Sequence, residues 1–250
     1  MPGHLHLFGL VHLLILASVP AFAAVLVVVQ RRLPPGSRAI RYGLAAVLFP
    51  CEAFYYGYTA LQGQPMFPDH LPLELCDLSM WLVVIALLTL RPAVFDLAYY
   101  LALAGASMSL LTPDMPPSYP ALLAVQFFAD HGLLVIAILY LVWSGQARPR
   151  PGSVLRAMLA LNICAAFVGT FDFIFNTNYM FIRAKPQTVS LLTFFGPWPW
   201  YLVATEGVGV VLFLLLYLPF RRASQVRGPH GQVFVRGVEI SPSKPGTADY

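Results

Sequence analysis

The segment His70-Leu-Pro-Leu-Glu-Leu-Cys-Asp-Leu-Ser-Met-Trp81 sets a thiol, Cys76, between two carboxylates, Glu74 and Asp77, at the start of an apolar run ending at Leu90. Ionisable groups at the mouth of an apolar helix cost free energy in lipid, so they mark a candidate functional site. A buried thiol is inert unless a base or a positive charge activates it. His131 is the available base, and it follows directly on Asp130. An acid such as Asp130, Asp172 or Glu206 can hold the imidazole in the required tautomer, the usual logic of nucleophile, base and orienter. A thiolate at this depth would meet an acyl ester, form an acyl-thioester, and pass the acyl group to an alcohol or to water.

Blander readings compete at each position. A lone cysteine is more often a small buried hydrophobe than a nucleophile, and Cys51 and Cys164 read as packing residues. Asp130 and Asp172 can serve helix–helix hydrogen bonds. Asp96 reads as interfacial, His12 as a packing or hydrogen-bonding histidine, and His70 as a loop residue able to cap a cavity. The joint occurrence of thiol, imidazole and several carboxylates at one depth favours the functional reading.

The elements that must position these groups are membrane helices. Of 250 residues, 58% are apolar and 10% charged, and the mean hydropathy is +0.71. A soluble domain carries roughly 25% charged residues. Apolar runs of about 20 residues span a bilayer, and seven appear, at roughly 7–30, 40–62, 72–90, 93–112, 121–144, 153–177 and 197–219. The expectation is an all-α polytopic bundle over 1–222, with 223–250 as a disordered cytoplasmic tail. Arg31, Arg32, Arg38, Arg41, Arg91, Arg148, Arg150, Arg156 and the basic residues after the seventh span fall on one side, leaving Arg183 and Lys185 on the other. The positive-inside rule then puts the N-terminus outside and the C-terminus in the cytoplasm. The Ala21-Phe22-Ala23 stretch resembles a cleavage site. Without a basic n-region, and with the apolar run continuing to Val29, it reads as part of an uncleaved first span.

At ~1.5 Å per helical residue, Cys76 and Asp77 lie about one turn below the outer surface. Asp130 and His131 lie two to three turns down. Asp172 and Asn176, four apart, share a helix face at the outer end of the sixth span, and Glu206 lies about two turns down the seventh. Glu52 can join from below. Asp77, Asn176, Tyr179, Arg183, Lys185 and Glu206 are the expected substrate contacts, with Arg183 and Lys185 either anchoring their loop or holding a lipid headgroup.

The motifs Leu-Pro-Leu-Glu-Leu-Cys-Asp (71–77), Asp130-His131, Phe-Asp-Phe-Ile-Phe-Asn-Thr-Asn-Tyr-Met (171–180), Lys185-Pro186 and Gly-Pro-Trp-Pro-Trp-Tyr (196–201) together resemble the bacterial YwaF-type integral membrane family. That family is similar to eukaryotic transmembrane protein 164, a cysteine-dependent acyltransferase that builds polyunsaturated ether phospholipids. The resemblance covers about residues 8–220 and implies a reactive cysteine at Cys76 with its paired histidine at His131.

The leading expectation is a multi-pass enzyme of the cytoplasmic (plasma) membrane, acting on membrane lipid as acyltransferase or acyl hydrolase. No metal, cofactor or nucleic-acid partner is expected. The runner-up is a proton- or ion-coupled transporter using the buried carboxylates, ahead of a seven-helix receptor. A retinal protein is excluded, because Lys185 and Lys244 are the sole lysines and neither lies in a span. Reporter fusions after Arg32, Arg91, Arg150 and Arg222 should all report cytoplasm. An outside signal at any of the last three breaks this topology.

Overall fold

The computed structural model describes residues 6–115, 120–186, 188, 190–224, 226–227, 233–235 and 238–240. Helices occupy every apolar run: α1 (Leu10–Gln30), α2 (Ala39–Leu61), α3 (Leu75–Thr89), α4 (Pro92–Leu111), α5 (Ala121–Trp143), α6 (Ser153–Phe175) and α7 (Trp200–Tyr217). Of these α1, α4, α5, α6 and α7 are long and apolar enough to cross a membrane. The 23-residue α2, which carries Arg41 and Glu52, and the 15-residue α3 raise the candidates to seven. Beyond α7 three short strands, β1 (Val226–Arg227), β2 (Val233–Val235) and β3 (Val238–Ile240), pair antiparallel in that order. Most of 223–250, where the sequence analysis expects disorder, lies outside the described residues.

Local chemistry sets the helix ends. Leu90 closes α3 in the left-handed region at φ 52°, and Arg91-Pro92 restarts the chain as α4 with proline in its first turn, where the missing N–H costs nothing. Gly152 at φ 75° precedes α6, and Asn176 at φ 58° ends it, the usual alternative to glycine at a helix C-terminus. Within α4, Leu101–Ala106 winds as a π turn. Its Gly105 lies so close to α3 that an added Cβ would stand 3.3 Å from the Leu75 side chain. A glycine there lets α4 approach the start of α3.

Half of the most apolar stretch of α4 and of α5 is buried, against 22% for α1 and α6 and 11% for α7. The bundle is therefore centred on α4 and α5. Helix α5 packs on α1, α2 and α3, and α4 on α3 and α6. The core runs through Leu48, Val83, Leu87, Phe95, Tyr100, Leu134, Ile138 and Leu141. Exposed apolar side chains such as Leu10, Ile163 and Phe167 face outward, as lipid-facing surfaces require.

Asp96 is fully buried rather than interfacial. Its carboxylate accepts the Arg150 backbone N–H at 3.0 Å and Nε at 2.9 Å, and Arg156 Nη2 at 2.8 Å. It thereby joins α4 to the loop before α6 and to α6 itself. His12 is likewise structural: its Nδ1 accepts the Phe8 N–H and its Nε2 meets the Leu110 carbonyl at 2.7 Å. Asp96→Ala should cost about 2–3 kcal/mol of stability, because it strands several donors that pair with one buried anion. Thermal unfolding in detergent reads the loss, and an unchanged midpoint would remove this role.

Candidate functional site

Glu74 precedes α3 with extended backbone, and Asp77 Oδ2 reaches back to accept the Glu74 N–H at 2.7 Å. A carboxylate in the first turn also suits the positive end of the helix dipole. Asp77 Oδ1 accepts the Tyr56 hydroxyl from α2 at 3.0 Å. Asp77, expected as a substrate contact, therefore fastens the start of α3 to α2. Cys76 is the second residue of α3 and half-buried, with its thiol free. The groups acting on it most strongly by charge are Asp77, Glu74, Glu52 and Asp130. All four are acids.

Glu52, one turn before Tyr56 on α2, is buried. Asp130 lies in the first half of α5. It is buried, and its Oδ1 has no partner among the described residues. Gln126 bridges α5 and α2, its Nε2 donating to the Cys51 carbonyl at 3.2 Å.

His131 is buried on α5, with Nδ1 2.8 Å from the carbonyl of Phe127 and its ring centroid 4.1 Å from the Phe127 ring. A ring nitrogen this close to a carbonyl carries the proton, so the free lone pair is on Nε2. The expected carboxylate behind the imidazole is absent among the described residues. A main-chain carbonyl one helical turn back takes its place. Asp130, next in sequence, makes no hydrogen bond to the imidazole among the described residues.

Asp172 is also placed differently from expectation. Its Oδ1 accepts the Thr177 hydroxyl at 2.7 Å and the Tyr179 N–H at 3.0 Å, and its carbonyl accepts Arg183 Nη1. It organises the turn that follows α6 and does not orient His131. Asn176 caps α6 in the left-handed conformation and is exposed, so it does not share an inward face with Asp172. Glu206 is exposed on α7 and accepts the Asn162 amide of α6 at 2.7 Å. It lies outside the group around Cys76, because α7 packs on α6 and the π turn.

The loop after α6 closes over the start of α3. The Tyr179 hydroxyl donates to the Pro68 carbonyl at 2.7 Å and accepts the Leu71 N–H at 2.8 Å. Burial pushes this phenol up to about 12, so it stays protonated and holds both bonds. Glu74 Oε2 accepts the Met180 N–H at 2.8 Å. Gly169 lets the loop approach α6, since a Cβ there would sit 3.3 Å from Ile182. Arg183 bonds the carbonyls of Asp172 and Thr177 and stands over the Phe173 ring, while Lys185 contacts the Thr193 carbonyl and the Tyr201 ring. Both cations anchor the loop in this structure. Asn178, whose Oδ1 accepts two loop N–H groups, and Tyr56 are structural contributors that the sequence analysis did not single out. Apart from Asn178 sitting in a polar Asn-Thr-Asn run, nothing in the sequence signalled them.

The described residues hold no group of three or more His, Cys, Asp and Glu arranged to bind a metal. The described residues do place a thiol at the start of α3, a buried imidazole on α5 with Nδ1 on a carbonyl, and buried acids on α2, α3 and α5. Asp172→Ala removes two hydrogen bonds to the loop and should cost about 1–3 kcal/mol. Faster proteolysis within 177–186 is the accompanying sign. Proteolysis at the wild-type rate would show that Asp172 does not hold this loop.

A family model described as the TMEM164 family matches residues 3–217. A Treponema pallidum (strain Nichols) protein, itself described as uncharacterized, is 26% identical over 231 residues, which is 91% of this chain and 94% of that protein. No solved structure matches the chain. With the match running through all seven helices, the chain belongs to the TMEM164 family and is a multi-pass membrane protein.

Proposed function

We propose that the chain is a lipid acyltransferase or acyl hydrolase of the membrane, with Cys76 as nucleophile and His131 as its base. The observation that carries this reading is the Nδ1 contact of His131 with the Phe127 carbonyl, which leaves Nε2 as a proton acceptor inside the bundle. In the first step Nε2 takes the Sγ proton and sulfur attacks the ester carbonyl. The ester C–O bond then breaks, and the leaving alcohol departs with the proton from His131. An acceptor hydroxyl or water next gives its proton to Nε2 and attacks the thioester carbonyl, breaking the C–S bond, and the departing Cys76 sulfur takes that proton back from His131. The first amides of a helix have no partner within it, so those of Leu75 and Cys76 are the natural donors to the carbonyl oxygen as it becomes negative. Tyr179, Arg183 and Lys185 hold the covering loop, and Asp77 holds the first turn of α3.

A second reading, an ion or proton path, draws on the acids Glu52, Asp77 and Asp130 lying together with an unpartnered oxygen. Against it stands the apolar layer beneath them. Leu44 and Leu48 of α2, Val83 and Leu87 of α3, and Leu134 and Ile138 of α5 are all buried there. A transport path needs polar groups on both sides of the midplane.

Acyl transfer or hydrolysis on a phospholipid panel in proteoliposomes separates the two. Cys76→Ala and Cys76→Ser should each lower turnover by roughly a thousandfold, His131→Ala should fail at the same step, and the double variant should be little worse. A hydroxylamine-sensitive acyl adduct should form on the wild type and vanish in Cys76→Ala. Full turnover by Cys76→Ser would end the proposal that this thiol does the chemistry, and dominance of Asp130→Asn with Cys76→Ser silent would favour the transport reading.

A further inference from the structure

At the opposite end of the bundle the end of α1, the start of α2, the end of α3 and the turn after α5 surround a cavity of about 300 Å³. Its walls are Gln30, Gly36, Ser37, Arg41, Leu90, Ser144 and Gln146. We propose that this cavity binds a phosphate group, with Arg41 as its charged contact.

Arg41 is 6% exposed. Its Nη1 donates to the Leu87 carbonyl at 2.8 Å, and its Nε is buried without a partner. Among the described residues the guanidinium makes no ion pair, since both salt bridges found there belong to Asp96. A guanidinium carries five donors and keeps its charge. Burying one against a single carbonyl is costly unless an anion completes the set. The Tyr42 ring, 5.8 Å from Cζ, adds only a weak further contact.

The rest of the wall suits the same ligand. Gln146 Nε2 donates to the Tyr140 hydroxyl at 2.8 Å and to Ser144 Oγ at 2.9 Å, and the Tyr140 hydroxyl donates to Gln30 at 2.7 Å. This chain of bonds holds neutral hydroxyl and amide groups around the space without placing a carboxylate in it. Ser37 lies two residues before the 23-residue α2, its hydroxyl accepting the Ala39 N–H at 3.4 Å, and a helix start favours an anion. Gly36 is exposed while Ser37, Ser144 and Gln146 are half-buried, so the cavity opens outward between the loops. A phosphate with several oxygens matches an arginine fork better than a halide does. The phosphate can belong to a lipid headgroup at the membrane surface or to a soluble ion, and both present the same oxygens.

The test uses the full chain in a maltoside detergent, which brings no phosphate of its own, in chloride buffer of constant ionic strength. Inorganic phosphate is titrated in one arm. Phosphatidic acid is added to the micelles in another, with diacylglycerol as the lipid lacking phosphate. The thermal midpoint should rise by about 2–4 °C at saturation in at least one of the first two arms. A rise in the soluble arm alone assigns a free anion, one in the lipid arm alone a headgroup, and both together a site open to either. Arg41→Gln should raise the half-saturating concentration by about tenfold or more, and Gln146→Leu, which leaves the Leu87 contact intact, by a smaller factor. No rise in either arm overturns the proposal. So does a rise equalled by diacylglycerol, or one unchanged in whichever of the two variants fold.

Discussion

A polar group enclosed by an apolar bundle must be hydrogen-bonded, neutralised or put to use, because neither lipid nor packed side chains can solvate it. This constraint shapes the molecule. Asp96 meets it with two arginines, His12 with the Leu110 carbonyl and the Phe8 N–H, and Tyr140 with Gln30 and Gln146. Each of these ties together segments far apart in the chain, so satisfying the group and fixing the fold are one event. Arg41, Asp130 and Asp172 each keep a buried atom without a partner. So does Ser190, in the loop before α7.

The two ends are electrically opposite and insulated from one another. Glu52, Glu74, Asp77 and Asp130 gather around the start of α3, whereas Arg41, Arg91, Arg150 and Arg156 lie where α3 ends and α4 and α6 begin. Glu52 lies eleven positions beyond Arg41 on α2, a rise of about 16 Å, and the buried side chains between them are apolar. Little charge can relax across that layer. Under the proposed function, charge that develops at the acidic end must therefore be balanced by groups at that end.

Much of this was legible in the residues. The helices lie where the apolar runs are, because sustained hydrophobicity between Gly, Pro and Asn breaks leaves a chain in lipid few other options. The site was legible only as a depth. Counting turns put Cys76, His131, Asp130, Asp172 and Glu206 at similar heights, but height does not say which way a side chain turns. Glu206 turns outward to Asn162, and Asp172 turns to the loop that follows its own helix. Asn176 looked like a partner of Asp172 at four-residue spacing, yet Asn also stops helices, and that preference won. The π turn in α4 left no mark, since Leu101–Ala106 reads as ordinary apolar helix. Arg41 looked like one more basic residue beside a membrane span. Its burial comes from α3, which brings the Leu87 carbonyl to it from 46 residues away.

The support of His131 by a carbonyl bears on which nucleophile the site can use. A carboxylate behind an imidazole stabilises the imidazolium by a full charge, and that help matters most when the proton comes from a hydroxyl, the weaker acid. A carbonyl fixes the same tautomer while offering only a dipole. It suffices for a thiol, which gives up its proton far more readily than a serine does. Under the proposed function, a base held by a dipole and a thiol, intrinsically a stronger acid than a hydroxyl, form a consistent set. Replacing the carbonyl support by a carboxylate, or the sulfur by oxygen, would unbalance it.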